Sequence, residues 1–229
     1  MNYMPSRSEL RITKPKLFIF DFDGTLAETE ILSAEIVAER LARQGISMDP
    51  RRVSAVLSGA AKEKDHPLLE GLTGQALELD FMDHVRADWR TAISKGIDPT
   101  AGAEDMLRNL SVPFCIASNA SRIDLVHRLR AANLLSLVGP RFFSSDDVGF
   151  RKPDPAVFLL ASEVMGVHPS ECLVVEDSTV GLEAAKRARM SSCAFVGGRH
   201  HSDEMRATLA RCEPDLLISD LRELTKFFR

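Results

Sequence analysis

The fold is decided close to the start of the chain by Leu17-Phe18-Ile19-Phe20-Asp21-Phe22-Asp23-Gly24-Thr25-Leu26. Four consecutive apolar residues end there in two carboxylates and a glycine. An unbroken apolar run of this length is typical of a strand buried on both faces, as in a parallel sheet. We therefore predict a buried strand over 17–20 whose carboxyl end presents acidic side chains.

Similar short apolar runs recur along the chain, at 114–117, 173–175, 193–196 and 216–218, with a further short strand at 142–145. Helical patterns separate them, over 121–133, 155–166, 179–189 and 220–228. Strands that alternate with helices in this way predict an α/β fold, with a parallel sheet covered by helices on both faces.

The interval from 31 to 98 interrupts this alternation, because it holds helical patterns but no convincing strand. Helices are predicted at 31–44, 49–57 and 75–94, and Gly45 is placed to end the first of them. We interpret 31–98 as an all-helical domain inserted into a core formed by 16–30 and 99–229. Residues 1–15 are interpreted as a flexible lead.

Composition narrows the classes of partner. The 229 residues are 45% hydrophobic and carry a net charge of −4, with no basic stripe, so we expect no nucleic-acid partner. No apolar run approaches the roughly 20 residues of a membrane helix, and we expect no membrane association. The polar N-terminal segment and four widely spaced cysteines predict a cytoplasmic protein with reduced thiols.

Reactive side chains follow the predicted strands at the points where the strands end. Asp21 and Asp23 follow the first strand, and Ser118 and Asn119 follow the run at 114–117. Ligands of open α/β sheets bind outside the carboxyl ends of the strands, so these residues are expected to share one edge. Two neighbouring carboxylates can share a divalent cation and divide the roles of nucleophile and general acid/base.

Two further groups belong to the same predicted edge. Lys152 precedes a helix and offers a point positive charge, while Glu176 and Asp177 follow the run at 173–175. Carboxylates of this kind suit Mg²⁺, which takes one or two of them and keeps several waters. Taken singly, each residue has a structural alternative: a turn, a helix N-cap, or a solvated side chain. Their coincidence at successive strand ends favours a catalytic site.

The four groups resemble, in order, the signature motifs of the haloacid-dehalogenase-like hydrolases: Asp21-Phe22-Asp23-Gly24-Thr25, Ser118-Asn119, Lys152-Pro153 and Glu176-Asp177. The resemblance implies a Rossmann-like parallel sheet with an inserted helical cap domain. Within the family, the chain looks most like the phosphogluconate and sugar-phosphate phosphatases, a subgroup that also contains β-phosphoglucomutase. It implies a Mg²⁺-dependent phosphatase that acts on a small phosphorylated metabolite, such as a sugar phosphate, phosphogluconate or phosphoglycolate.

The resemblance also implies roles for individual residues. Asp21 would form an aspartyl-phosphate, and Asp23 would act as general acid and then general base. Four residues would hold the metal, Glu176 through a bound water: Asp21, Asp23 (by its backbone carbonyl), Glu176 and Asp177. Four would bind the phosphoryl group: Thr25, Ser118, Asn119 and Lys152. A cap loop is implied to read the substrate, which makes Gly59, Lys62 and Lys64 candidate specificity residues.

Two alternatives stay open at this point. In β-phosphoglucomutase-like sequences a histidine lies twelve positions after the nucleophile, whereas this chain has Ser33 there. That difference favours water as the final acceptor over a phosphomutase. A non-catalytic binding protein on the same fold is the second alternative. His200 and His201 are expected to be ordinary side chains of an exposed loop, with a place at the site as the alternative. Neither the substrate nor the oligomeric state follows from the sequence.

Overall fold

The computed structural model describes residues 14–57 and 64–228. Six parallel strands form one sheet in the order β3-β2-β1-β4-β5-β6. The strands are β1 (Leu17–Phe20), β2 (Phe114–Ser118), β3 (Phe142–Ser144), β4 (Cys172–Glu176), β5 (Ser191–Phe195) and β6 (Leu216–Ile218). The predicted α/β class with a Rossmann-like parallel sheet is confirmed.

Eleven helices occur in the described part of the chain. They are α1 (Thr29–Arg43), α2 (Pro50–Leu57), α3 (Asp65–Thr73), α4 (Phe81–Lys95), α5 (Ala103–Asn109), α6 (Arg122–Ala131), α7 (Leu135–Val138), α8 (Ala156–Val164), α9 (Thr179–Arg187), α10 (Asp203–Arg211) and α11 (Glu223–Phe227). Over the described ranges no helix combines the length and the apolar character that crossing a bilayer requires.

The predicted helix over 75–94 was wrong at its start. Helix α3 ends at Thr73, Gly74 follows it in the left-handed region with a φ of +68°, and α4 begins only at Phe81. Between them the Leu77 N–H donates to Glu70 Oε1 at 3.0 Å, which holds the connection as a turn. Helix α3, from Asp65 to Thr73, was not among the predicted helices.

The side chains of β1 alternate between the two faces of the sheet and pack into two separate apolar clusters. Phe18 and Phe20 pack into one apolar cluster with α5, α6 and α11, whereas Leu17 and Ile19 pack into a second cluster with α8 and α9. All four side chains are fully buried. Successive side chains of a strand point to opposite faces, so an unbroken apolar run is what a sheet covered on both faces requires.

Helices α1 to α4 have an apolar cluster of their own. Val37 and Leu41 of α1 pack there with Val53 of α2, Leu69 of α3 and Phe81 of α4. No strand occurs within the described residues between β1 and α5. The strandless interval noted in the sequence therefore packs around a separate set of apolar side chains.

Strand order places the candidate residues together. β1 lies between β2 and β4, so the carboxyl ends of all three strands meet at one edge. This edge carries Asp21 after β1, Ser118 at the end of β2 and Glu176 at the end of β4.

Candidate active site

The backbone after β1 forms the floor of the site. The Asp21 N–H donates to the Val175 carbonyl at 2.9 Å, which joins the first residue of the loop to β4. Gly24 follows with a φ of +81°, and a Cβ on it would lie 2.1 Å from Asp177 Oδ2. Only glycine combines that backbone conformation with so close an approach of a carboxylate.

Lys152 joins two of the carboxylates. Its Nζ lies 2.5 Å from Asp21 Oδ1 and 2.6 Å from Glu176 Oε1, and it also donates to the Ala117 carbonyl at 2.8 Å. Its backbone N–H donates to Asn119 Oδ1 at 2.8 Å. The Asn119 side chain therefore faces the backbone of Lys152 and positions the loop that carries the ammonium group.

Burial and charge determine the protonation of this cluster. Burial raises the pKa of Asp21 well above its ordinary value and also raises the pKa of Glu176, although the Lys152 ammonium opposes both shifts. The two carboxylates in turn hold the pKa of Lys152 above its ordinary value, against the effect of burial. The lysine is therefore a fixed positive charge next to two crowded carboxylates.

Asp177 has a partner on each carboxylate oxygen. Thr25 Oγ1 donates to Oδ1 at 3.1 Å, and His200 Nε2 lies 3.1 Å from Oδ2. Burial alone would raise the pKa of Asp177, but the hydrogen bond and charge of His200 outweigh it and lower that pKa. Asp177 is thus held as a carboxylate.

The three buried carboxylates fit a hard cation. One oxygen from each of Asp21, Glu176 and Asp177 lies within 4.8 Å of the others. A Cβ at Gly181 would lie 1.9 to 2.2 Å from the Glu176 carboxyl group, so α9 approaches as closely as a glycine allows. An all-oxygen donor set of this charge is the kind that Mg²⁺ prefers.

Asp23 lies close to the end of β2 and to α6. Ser118 Oγ is 3.4 Å from Asp23 Oδ2, and Arg128 Nη1 is 2.8 Å from Asp23 Oδ1. Arg128 was not identified from the sequence. Arg128 lies three positions after Leu125 and directly before Leu129, and both leucines are fully buried. The only sign in the sequence that Arg128 belongs to the site was therefore its place on the inward side of α6.

His200 and His201 do not lie in an exposed loop, as was expected, but are 1% and 3% exposed. Gly197 and Gly198 let the segment after β5 fold back onto the site, because Cβ atoms there would lie 2.0 Å from the Ser219 carbonyl and 3.0 Å from the Gly24 carbonyl. The expectation failed because this close packing joins residues far apart in sequence. Burial and the neighbouring His200 lower the pKa of His201 to about 4.

Glu30, at the start of α1, is a further charged residue at this edge that the sequence did not single out. Burial, followed by the charges of Asp177 and Asp23, raises its pKa to about 7.

Of the three candidate specificity residues, only Lys64 lies within the described part of the chain. Lys64 is exposed immediately before α3, and among the described residues no contact joins it to the site. Gly59 and Lys62 lie outside the described residues. Trp89 packs against the apolar cluster of α1 to α4, and the carbon of the Arg128 guanidinium lies 5.5 Å from the centre of its ring.

Known proteins resemble this chain over most of its length. Residues 15–189 match the family model of haloacid dehalogenase-like hydrolases. The chain is 27% identical to 6-phosphogluconate phosphatase of Escherichia coli over 80% of this chain and 83% of that protein. It is 27% identical to hexitol phosphatase A of the same organism over 92% and 93% of the two chains.

A solved structure extends the likeness to three dimensions. It is a HAD-family hydrolase from Deinococcus radiodurans with bound phosphate and sodium, which matches with a TM-score of 0.84 and 28% identity over 92% of this chain and 93% of that one. The resemblance inferred from the motifs is confirmed, and relatives that are named phosphatases give the class of reaction. The chain therefore belongs to the haloacid dehalogenase-like hydrolases, and it is an enzyme of the phosphatase type.

Proposed function

We propose that this chain is a Mg²⁺-dependent phosphatase that hydrolyses a small phosphorylated metabolite through an aspartyl-phosphate on Asp21. The observation that carries the proposal is the meeting of Lys152 with Asp21 and Glu176, at 2.5 and 2.6 Å, beside Asp177. Phosphoryl transfer is mainly a matter of positioning and charge neutralisation, and this cluster supplies both.

In the first step an Asp21 carboxylate oxygen attacks phosphorus and the ester P–O bond breaks. Asp23 donates a proton to the departing oxygen, so the product leaves as an alcohol. In the second step Asp23 takes a proton from water, the water oxygen attacks phosphorus, and the bond to Asp21 breaks. Inorganic phosphate departs and both aspartates return to their starting state.

Positive charge must offset the repulsion between Asp21 and a phosphate dianion. Bound Mg²⁺, held by Asp21, the Asp23 backbone carbonyl and Asp177, with Glu176 acting through a water, would supply part of it as a Lewis acid. Lys152 supplies the rest. Thr25 and Ser118 bind the transferring oxygens through their hydroxyl groups, and Asn119 contributes by holding the Lys152 backbone in place.

The helices of 31–98 act as a cap on a core formed by 16–30 and 99–229. Contacts that connect cap and core include the hydrogen bond from Arg51 Nε to the Arg199 carbonyl, at 3.1 Å, and the Arg128 guanidinium over the Trp89 ring. A cap that excludes bulk water suits a small substrate. Relatives named for 6-phosphogluconate and hexitol phosphates support a sugar phosphate or a related phosphorylated acid as the substrate class. Free cysteines suit a cytoplasmic protein.

The test is release of inorganic phosphate from a panel of phosphorylated metabolites, with and without Mg²⁺. We expect Mg²⁺-dependent turnover that Asp21→Asn abolishes and that Asp105→Asn, at an exposed site on α5, leaves intact. Turnover by Asp21→Asn at the rate of the parent protein would contradict the assignment of Asp21 as the nucleophile. Conversion of glucose 1-phosphate to its 6-phosphate without phosphate release would indicate a phosphomutase, and the absence of turnover on every substrate a binding protein.

A further inference from the structure

Arg128 has more donors than the described residues use. Its Nη1 pairs with Asp23 at 2.8 Å, but its Nε donates to no acceptor among them, although the atom is buried and the side chain only 14% exposed. A guanidinium presents five N–H donors in a rigid fork suited to carboxylate and phosphate groups.

The ring of Trp89 lies against the guanidinium from the cap side, with its centre 5.5 Å from the guanidinium carbon. A cation over an indole face is attracted to it, and the flat ring fixes the plane of the fork. Arg128 is thus held between a residue of the cap and a residue of the phosphoryl-transfer site.

A cleft of about 590 Å³ opens next to this pair. Its walls include Asp23, Asn119, Ser121, Asp124, Arg128 and Arg151. Asp146 lines the same cleft and accepts the Arg122 N–H at 2.9 Å. Arg128 therefore faces a space of the size that a metabolite occupies, immediately beside the residue assigned to protonate the leaving group.

Turnover disturbs the ion pair of Arg128. Asp23 must direct its carboxyl group to the departing oxygen, and the largely buried guanidinium then loses its nearest counter-charge, with Asp124 and Glu30 as the next acidic groups. An unpaired buried charge is strongly unfavourable. A second anion bound in the cleft beside Arg128 would restore the pairing of the guanidinium.

We propose that Arg128 recognises a second anionic group, a carboxylate or an additional phosphate, on the substrate. The inference rests on the proposed phosphatase function and assigns its specificity to a side chain of α6. The preferred substrate is accordingly a phosphate monoester whose alcohol part is itself anionic.

The test compares three substrates of similar size: a hexonate 6-phosphate, a hexose bisphosphate and a hexitol 6-phosphate with no second anion. Kinetics are measured for the parent protein, Arg128→Met, Arg128→Lys and the control Arg130→Met, at an exposed position of the same helix. Binding of the corresponding non-hydrolysable phosphonates is measured by calorimetry. Comparison of the hexonate 6-phosphate with the hexose bisphosphate shows whether a carboxylate or a second phosphate is recognised.

We expect the parent protein to favour a doubly anionic substrate and to bind its phosphonate more tightly. Arg128→Met should lower kcat/KM for that substrate about 10- to 100-fold, mainly through KM, and change the hexitol phosphate much less. Arg130→Met should keep the preference, and Arg128→Lys should retain part of it.

Equal losses on all three substrates would overturn the inference, since Arg128 would then serve only to position Asp23. Absence of a preference in the parent protein would overturn it as well, whether or not Arg128→Met folds. If no substrate is hydrolysed but the doubly anionic phosphonate still binds more tightly through Arg128, the phosphatase proposal fails and the assignment of Arg128 stands.

Discussion

Lys152 Nζ lies 2.5 Å from Asp21 Oδ1, and solvent reaches almost none of either side chain. The pair connects the loop before α8 to the end of β1, two segments that are far apart in the sequence. A buried pair of this kind is strongly destabilising to break, because the remaining charge has no solvent to compensate it. The nucleophile is thus positioned by a cation that also contributes to the stability of the fold.

Lys152→Met tests this relationship. We expect the free energy of unfolding to fall by about 3 to 5 kcal/mol and phosphate release to be lost. Burial already raises the pKa of Asp21 and Glu176, and loss of the ammonium raises both pKa values further. Protonation of Asp21 or Glu176 relieves the repulsion between these two carboxylates. The loss of stability of Lys152→Met relative to the parent protein should therefore become smaller as the pH falls. The measurement is urea unfolding across pH, with the exposed Lys186→Met as control. Equal stability of Lys152→Met and the parent protein would contradict the account.

Gly181→Ala tests the placement of Glu176. The added Cβ would lie about 2 Å from the Glu176 carboxyl group, so that side chain must move away from Lys152. We expect kcat/KM to fall at least about tenfold with the fold retained. Gly71→Ala is the matched control, because it is also a helical glycine and a Cβ there meets nothing within 4 Å. It should keep full activity, and similar activity of the two variants would argue against the close approach of α9.

Thr25→Val removes the hydroxyl group that donates to Asp177 Oδ1 at 3.1 Å and keeps the shape of the side chain. The carboxylate loses one partner, and the phosphoryl group loses one proposed donor. We expect kcat/KM to fall about 10- to 100-fold and stability to fall by about 1 kcal/mol. Thr25→Ser, which keeps the hydroxyl group, should restore most of the activity. Full activity of Thr25→Val would exclude a role for this hydroxyl.

Glu30 makes the free energy of unfolding of the metal-free protein depend on pH in a characteristic way. Its pKa is raised from 4.5 to about 7, chiefly by burial, so the unfolded chain loses this proton more readily than the folded chain. The resulting destabilisation is absent below about pH 4.5, grows as the pH rises, and is complete above about pH 7. Glu30→Gln should therefore be more stable than the parent protein at pH 8, by about 1 to 3 kcal/mol, and equally stable near pH 4.

The comparison for Glu30→Gln is made by thermal or urea unfolding in the presence of a chelator. Glu39→Gln, at an exposed glutamate of the same helix, controls for loss of one negative charge. A stability difference that did not change with pH would rule out titration of Glu30 as its cause.

Sequence patterns sufficed for the sheet and for the acidic residues that directly follow β1. The run at 17–20 is buried on both faces, so its composition alone indicates a central parallel strand, and the acidic residues after it necessarily lie at the strand end. Gly24 could be located in the same way, although its close approach to Asp177 becomes apparent only in three dimensions.

The missed features depend on contacts between distant segments. Arg128 of α6 reaches Asp23, which follows β1, across a long separation in sequence, and only its place between the buried Leu125 and Leu129 sets it apart from the exposed Arg130. His200 reaches Asp177 because two glycines allow a loop to fold over the site. The start of α4 was misplaced because the helical spacing of apolar residues continues past the left-handed turn at Gly74.

The most direct test of the central claim is a rapid-quench experiment on Asp23→Ala with p-nitrophenyl phosphate and Mg²⁺. This leaving group needs no proton, so the first step should proceed, while loss of the general base slows hydrolysis of the intermediate. We expect a burst of about one p-nitrophenolate per chain, with a phosphoryl group on the peptide that contains Asp21. Turnover without a burst, or a phosphoryl group on any other residue, would contradict the assignment of Asp21 as the nucleophile.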